Sequence, residues 1–324
     1  VDRLKAILRS LGLPVSGNKS ELIERIRQAS RTMLHYEDIK GLDPLIEWAK
    51  MTGRLFSPRA VTFGFPRFPT GVLLTGVPGC GKSMVAKAIS NEWRMGFLRV
   101  HPDNLVGACV GDNEKYMRNL VNQLVRNAPI ICFIDEAEKI LGQTRGPGGS
   151  QYKAADAARD SAESILLQFM EDDLSGVFFI FTANDYDKLS PALIDRFQGR
   201  FFIDLPSSPA RKQIISSMLE IRLRDPADYE IEKLVSMSHG FSGRDIRTAV
   251  DEAMKIAFFE GARPITQSDF VTTFSQTVPT SKTHEHQITR MREMVSEGKM
   301  RRANSEELDE QVRVPKEGVL MEWA

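Results

Sequence analysis

Eight residues, GVPGCGKS from Gly76 to Ser83, place three glycines, a lysine and a hydroxyl directly after the apolar run VLL. Glycine weakens regular structure and is kept where the backbone must take a positive φ or approach a ligand closely. The spacing fits G-x-x-x-x-G-K-[ST]. In that pattern a strand passes through a glycine-rich loop into a helix, and successive backbone N–H groups form a concave anion site. The helix N-terminus adds partial positive charge. Gly76, Pro78, Gly79, Cys80 and Gly81 then shape a nucleotide-binding loop, and Met84 lies in the turn that follows. Lys82 is placed to reach the β- and γ-phosphates and Ser83 to ligate Mg²⁺. Cys80 acts through its backbone, with its thiol as a small filler.

Two further polar groups end apolar runs. IICFIDE offers Asp135 to hold Mg²⁺ through water, and Glu136 to orient or deprotonate an attacking water, which a carboxylate within hydrogen-bond reach can do. FIFTAND offers Asn184, an amide able to position that water or read the γ-phosphate.

These groups need a scaffold. Strand-like runs at 72–75, 97–100, 130–135, 177–183 and 201–205 are apolar nearly throughout, the pattern of strands covered on both faces. Helical periods lie between them, over Ser83–Asn91, Glu114–Arg126 and Ala158–Met170. The expectation is an α/β fold, a parallel sheet with helices on both faces. Beyond Pro209 no strand is expected, only helices at about 210–224, 231–238, 242–260, 266–274 and 284–296. TRGPGGSQ (144–151) reads as a loop. Residues 2–28 read as a small helical hairpin, with Leu4, Ile7, Leu8 and Leu11 on one face.

Composition narrows the class. The 324 residues are 42% hydrophobic and 27% charged, as in globular proteins of about two domains. No apolar run reaches the roughly 18 residues that span a bilayer, so no membrane partner is expected. The charged start, VDRLKAILRS, does not read as a secretion signal, and Val1 is not an initiating methionine. Cys80, Cys109 and Cys132 fit neither a disulfide framework nor a zinc site, which points to a reducing compartment, cytoplasm or plastid stroma. Charge is balanced at 43 basic and 43 acidic residues but unevenly spread. Residues 1–31 carry seven Lys/Arg against three Asp/Glu, and residues 305–324 carry two against six. A basic head suits a polyanion partner, or is a solvated helical face.

In this order the motifs resemble those of the AAA+ ATPases over about Tyr36–Ser275. YEDIKGLDPLIEWAK is similar to the family's adenine-contacting segment, with Ile39 and Gly41 in that role. LSPALIDRFQGRFFIDLP resembles the region carrying arginine fingers, and either Arg196 or Arg200 suits the part. HGFSGRDIRTAV resembles the lid helix that senses nucleotide; Arg244 stands where many members have alanine, and is a sensor or a surface arginine. The continuation ITQSDFVTTFSQTVPTSKTHEHQITRMREM resembles a cyanobacterial and algal-plastid subgroup. In LVGACVGDNEKYMRNL the pore-loop aromatic of many members is replaced by Cys109, followed by Val110, which argues against a processive unfoldase.

The resemblance implies a P-loop NTPase core at 71–208 preceded by a linker and adenine-contacting segment at 31–70. A helical lid would follow at 209–300 and an acidic tail at 301–324. It implies ATP and Mg²⁺ as cofactors, and a homo-oligomeric ring, a hexamer by family habit. The finger must reach a neighbour's γ-phosphate, so subunits would sit head to tail. LKAILRSLGLPVSGNKSELIERI (within 1–30) resembles the SAP module, which binds DNA. Lys5, Arg9, Lys19, Arg25 and Arg27 would meet phosphates there and Gly17 would form the turn; such contacts position without reading sequence. Three functions stay open: a ring ATPase recruited to DNA, an ATP-driven protein remodeller or assembly chaperone whose N-terminal hairpin binds an unknown protein client, and a nucleotide-gated scaffold with little turnover.

Overall fold

The computed structural model of the chain describes residues 33–65, 67–100, 112–141, 150–171 and 176–305, together with Ser16. The expected hairpin residues Lys5, Arg9, Gly17, Lys19, Arg25 and Arg27 lie outside the described residues. So do Cys109, Val110 and the tail beyond Ser305.

Among the described residues six parallel strands form one sheet: β1 (Gly71–Thr75), β2 (Gly96–Val100), β3 (Ile130–Ile134), β4 (Val177–Ala183), β5 (Gly199–Phe202) and β6 (Arg301–Arg302). Their spatial order is β2-β3-β4-β1-β5-β6. β1 lies between β4 and β5, so the chain leaves β1 toward one edge and later returns to its other side. Ligands of open α/β sheets bind at the carboxyl ends of strands beside such a reversal.

The helices preceding the lid are α1 (Asp43–Gly53), α2 (Pro58–Phe63), α3 (Lys82–Trp93), α4 (Asp112–Arg126), α5 (Ala137–Leu141), α6 (Ser150–Glu171) and α7 (Pro191–Ile194). Side chains alternate across a strand. Val72 and Leu74 of β1 therefore join the cluster packed by α1 and α3, while Leu73 joins the cluster packed by α4, α5 and α6. β1, β3 and β4 are buried along their whole length, which is why they read as unbroken apolar runs. β2 departs from that expectation. It is an edge strand with only Val100 buried. α6 also begins earlier than its periodicity suggested, at Ser150 rather than Ala158, because its first turns are polar.

A second core follows. α8 (Ser208–Ile221), α9 (Ile231–Met237), α10 (Gly243–Phe259) and α11 (Gln267–Gln276) pack around Ile215, Leu234, Phe241, Ile246, Phe270 and Phe274. Ser242 and Asp245 form a reciprocal capping box at the start of α10, with Oγ accepting from Asp245 N (3.2 Å) and Oδ2 accepting from Ser242 N (2.8 Å).

The strands do not stop at Pro209. After α12 (Thr280–Thr283) and α13 (Glu285–Ser296) the chain returns to the sheet, where β6 pairs with Phe201 and Phe202. Met291, Met294 and Met300 cover Phe202, so α13 packs on the sheet. A two-residue strand made of two arginines has no apolar pattern by which it could be read.

Candidate functional site

The loop 76–81 joins the buried end of β1 to α3. Its glycines are dictated by close approach. A Cβ on Gly76 would lie 2.4 Å from the Ile203 carbonyl oxygen. Gly79, at φ +89°, would place one 2.7 Å from Arg244 Cβ and 2.9 Å from Ser242 Oγ. The lid helix α10 therefore rests on the loop, and Arg244 N donates to Gly79 O (3.3 Å). Gly81 precedes α3 in a left-handed conformation. The first amides of α3 have no acceptor one turn back, so they face outward as anion donors. Cys80 and Met84 pack against the α1–α3 cluster, and burial pushes the Cys80 thiol up to about 12, which makes it a filler rather than a nucleophile.

Lys82 is 7% exposed. Its Nζ donates to Gly76 O (2.5 Å), Val77 O (3.0 Å) and Asn184 Oδ1 (2.8 Å). Burial lowers its pKa from the usual lysine value, against the pull of nearby acids. An entering phosphate can exchange for these neutral acceptors, because an ammonium bonds an anionic oxygen more strongly than a neutral one.

Asn184 connects the other parts. Its Nδ2 donates to Glu136 Oε1 (3.1 Å), and its backbone N donates to Glu138 Oε1 (3.0 Å). Glu136 follows β3 at φ +52°, a conformation rare outside glycine, and Lys139 Nζ lies 2.6 Å from its Oε2. Asp135 is held from both sides: Thr182 Oγ1 donates to Oδ1 (2.6 Å) and Arg99 Nη2 to Oδ2 (2.6 Å). Ser83 Oγ faces the same Oδ2 at 3.4 Å. One hydroxyl and one carboxylate are the oxygen donors with which Mg²⁺ is held when phosphates supply the rest. Among the described residues no group of three or more His, Cys, Asp or Glu is arranged to hold a metal without such help.

Lys82, Ser83, Asp135, Glu136 and Asn184 therefore converge at the ends of β1, β3 and β4. Ile39 is buried in the α1–α3 cluster, and Gly41, at φ +74°, abuts Ala210 of α8, where a Cβ would lie 2.6 Å from Ala210 Cβ. Arg196 pairs with Glu171, and Arg200 with Asp195 (3.1 Å).

Four residues of the site escaped the sequence reading. Thr182 is a single hydroxyl within VFFIFTA, and Arg99 a single charge within FLRV; each was visible as an exception in an apolar run. Glu138 is recognisable only from its burial, which raises its carboxyl, and from an Oε2 with no hydrogen-bond partner. Gln287 Nε2 donates to Asn184 O (2.5 Å) from 103 positions away, with no local signal.

Residues 72–205 match the model of the ATPase family associated with various cellular activities (AAA). Residues 228–272 match the AAA+ lid domain and residues 1–31 the SAP domain. The chain is 34% identical over 270 residues to an AAA domain-containing protein, ycf46, of Guillardia theta, covering 82% of this chain and 52% of that protein. It is 32% identical over 270 residues to the ycf46 protein of Pyropia yezoensis, covering 82% and 53%. It is also 33% identical over 258 residues to the ATP-dependent zinc metalloprotease FtsH 2 of Bdellovibrio bacteriovorus, covering 78% and 42%. The chain thus spans about half the length of these ycf46 relatives. The crystal structure of the FIGL-1 AAA domain in complex with ADP superposes with a TM-score of 0.67 over 82% of this chain and 90% of that one, at 22% identity. With its nucleotide loop, its helical lid and these relatives, the chain carries the ATPase domain of the AAA family together with an AAA+ lid and an N-terminal SAP domain.

Proposed function

We propose that this chain hydrolyses ATP with Mg²⁺ in a ring of identical subunits, and that the SAP domain recruits the ring to DNA. The observation that carries the catalytic part is the continuous path from Lys82 through the Asn184 amide to Glu136. Gly76 to Ser83 cradle the phosphates, and Ile39, Gly41 and Arg244 lie along the nucleotide's other contacts. Ser83 and Asp135 hold Mg²⁺, which when bound neutralises phosphate charge. Glu136 takes a proton from the attacking water and Asn184 orients that water. Arg196 or Arg200 stabilises charge on a neighbour's γ-phosphate, which requires a head-to-tail assembly; a hexamer is the size we assign.

DNA recruitment is supported by the SAP match and by the surplus of Lys and Arg in residues 1–31. Lys5, Arg9, Lys19, Arg25 and Arg27, with Gly17 among them in sequence, would contact phosphates. Several weak heads on one ring act together by raising effective concentration. We place the protein in the cytoplasm or plastid stroma; no described helix is long and apolar enough to cross a membrane. A second reading, remodelling of a protein client held by the N-terminal module, is favoured by the likeness to an ATP-dependent zinc metalloprotease.

Steady-state hydrolysis by the full chain, with and without duplex DNA, separates the readings. DNA recruitment predicts a stimulated rate, and binding that weakens steeply with salt and disappears when residues 1–31 are deleted. A rate indifferent to DNA, with no salt-dependent binding, rejects recruitment and leaves the protein client.

A further inference from the structure

The segment carrying α12 and α13 is anchored at two places. At the lid, Thr280 N donates to Asp245 Oδ2 (3.0 Å), Thr280 Oγ1 to Ser242 Oγ (3.1 Å), and Ser281 N to Gly240 O (3.1 Å). At the sheet, Gln287 Nε2 donates to the Asn184 carbonyl (2.5 Å), and Arg292 forms two bonds to buried Asp204 (2.8 and 3.0 Å). The Gln287 amide is used at both ends, because its Oε1 faces His284 Nδ1 at 3.1 Å.

Both anchors touch the nucleotide site. Ser242, the cap of α10, is one of the two residues, with Arg244, that leave Gly79 no room for a side chain. Asn184 is the group that spans Lys82 and Glu136. The segment 280–287 therefore connects the lid surface that rests on the phosphate loop with the amide beside the general base, by a route separate from the loop itself.

We propose that Gln287 is a positioning residue for hydrolysis. It fixes the backbone of Asn184, so that the amide spans Lys82 and Glu136, and it transmits displacement of the lid cap to that amide. The inference rests on the reading that Glu136 and Asn184 act in the hydrolytic step. A hold on a backbone carbonyl does not touch nucleotide, so its loss acts on turnover and not on binding.

The test uses the full chain. Gln287→Ala is expected to lower kcat about three- to tenfold, the effect of one lost hydrogen bond, with affinity for a non-hydrolysable ATP analogue kept within about twofold. Gln287→Lys, which restores a donor, regains most of the rate. Amides 184–187 exchange faster with solvent in Gln287→Ala than in the parent chain. Combined with Thr280→Val, the loss is smaller than the product of the two single losses, because both cut one link. An unchanged kcat, a parallel loss of affinity and melting temperature, or strictly multiplicative losses overturns the proposal. Glu136→Gln tests the underlying reading separately: if it still turns over ATP, the assignment of the base fails, while amide exchange at 184–187 still decides whether Gln287 holds Asn184.

Discussion

Lys82 Nζ and Asn184 Oδ1 lie 2.8 Å apart although 102 positions separate them in the chain. Their meeting follows from the strand order: β4 pairs with β1 residue by residue from Gly71↔Phe179 to Thr75↔Ala183, so the residues after both strands emerge side by side. The same order brings Glu136, after β3, to the other side of Asn184.

The finger arginine can be assigned by mixing. Alone, Glu136→Gln loses about 10²- to 10⁴-fold in turnover and keeps nucleotide binding. Loss of the finger costs about 10³-fold or more. Mixed with Glu136→Gln, the Arg196→Ala or Arg200→Ala chain that lacks the finger recovers part of the turnover, since a site is complete wherever that chain's intact base meets the intact arginine of a Glu136→Gln neighbour. Steady-state rates of the mixtures decide which arginine it is, and no recovery with either would sink action in trans.

Arg99 occupies the Asp135 oxygen that Ser83 faces. A cation bound there must displace it. Arg99→Ala is expected to lower the Mg²⁺ concentration needed for binding an ATP analogue, by up to about fivefold, since a partly exposed ion pair contributes no more than about 1 kcal/mol. A Mg²⁺ titration of analogue binding reads this directly; an unchanged or higher requirement would refute it.

Glu138 gives a pH dependence. Burial raises its carboxyl above 4.5, so the folded chain holds that proton more tightly than the unfolded chain. The stability it contributes is complete below pH 4.5 and is lost as pH rises through the higher folded value. Glu138→Gln keeps an acceptor for Asn184 N and cannot ionise. The variant should melt with the parent near pH 4.5 and above it at neutral pH, as calorimetry of the nucleotide-free protein would show. A gap that closes as pH rises has the wrong sign.

Gly79→Ala tests the seat of the lid. A left-handed alanine costs about 1–2 kcal/mol, and here its Cβ also meets Ser242 and Arg244. Nucleotide affinity should fall about tenfold or more, with faster amide exchange at 242–245. Unchanged affinity would show that the loop and lid do not need this contact.

Much of the fold was legible. Unbroken apolar runs marked β1, β3 and β4, and helical periodicity marked α3, α4 and the lid helices, because complete burial and amphipathic packing both leave a local pattern. β2 shared the apolar pattern yet lies at an edge, since position in a sheet is set by pairing and not by the strand's own composition. β6 left no pattern, since Arg301 and Arg302 enter the sheet through backbone bonds and through the Met300 contact beside them.

The sequence by itself determined the chemistry on offer: the phosphate loop, Ser83, the Asp135-Glu136 pair and Asn184 are all residue types at short spacings or strand ends. Short-range spacing needs only local geometry. Tertiary structure alone decided that Asn184 spans Lys82 and Glu136, that Arg99 and Thr182 hold Asp135, and that Gln287 reaches Asn184 from the far end of the chain. Those contacts depend on strand order and on the return of α13 to the sheet, and neither is written in any stretch of neighbouring residues.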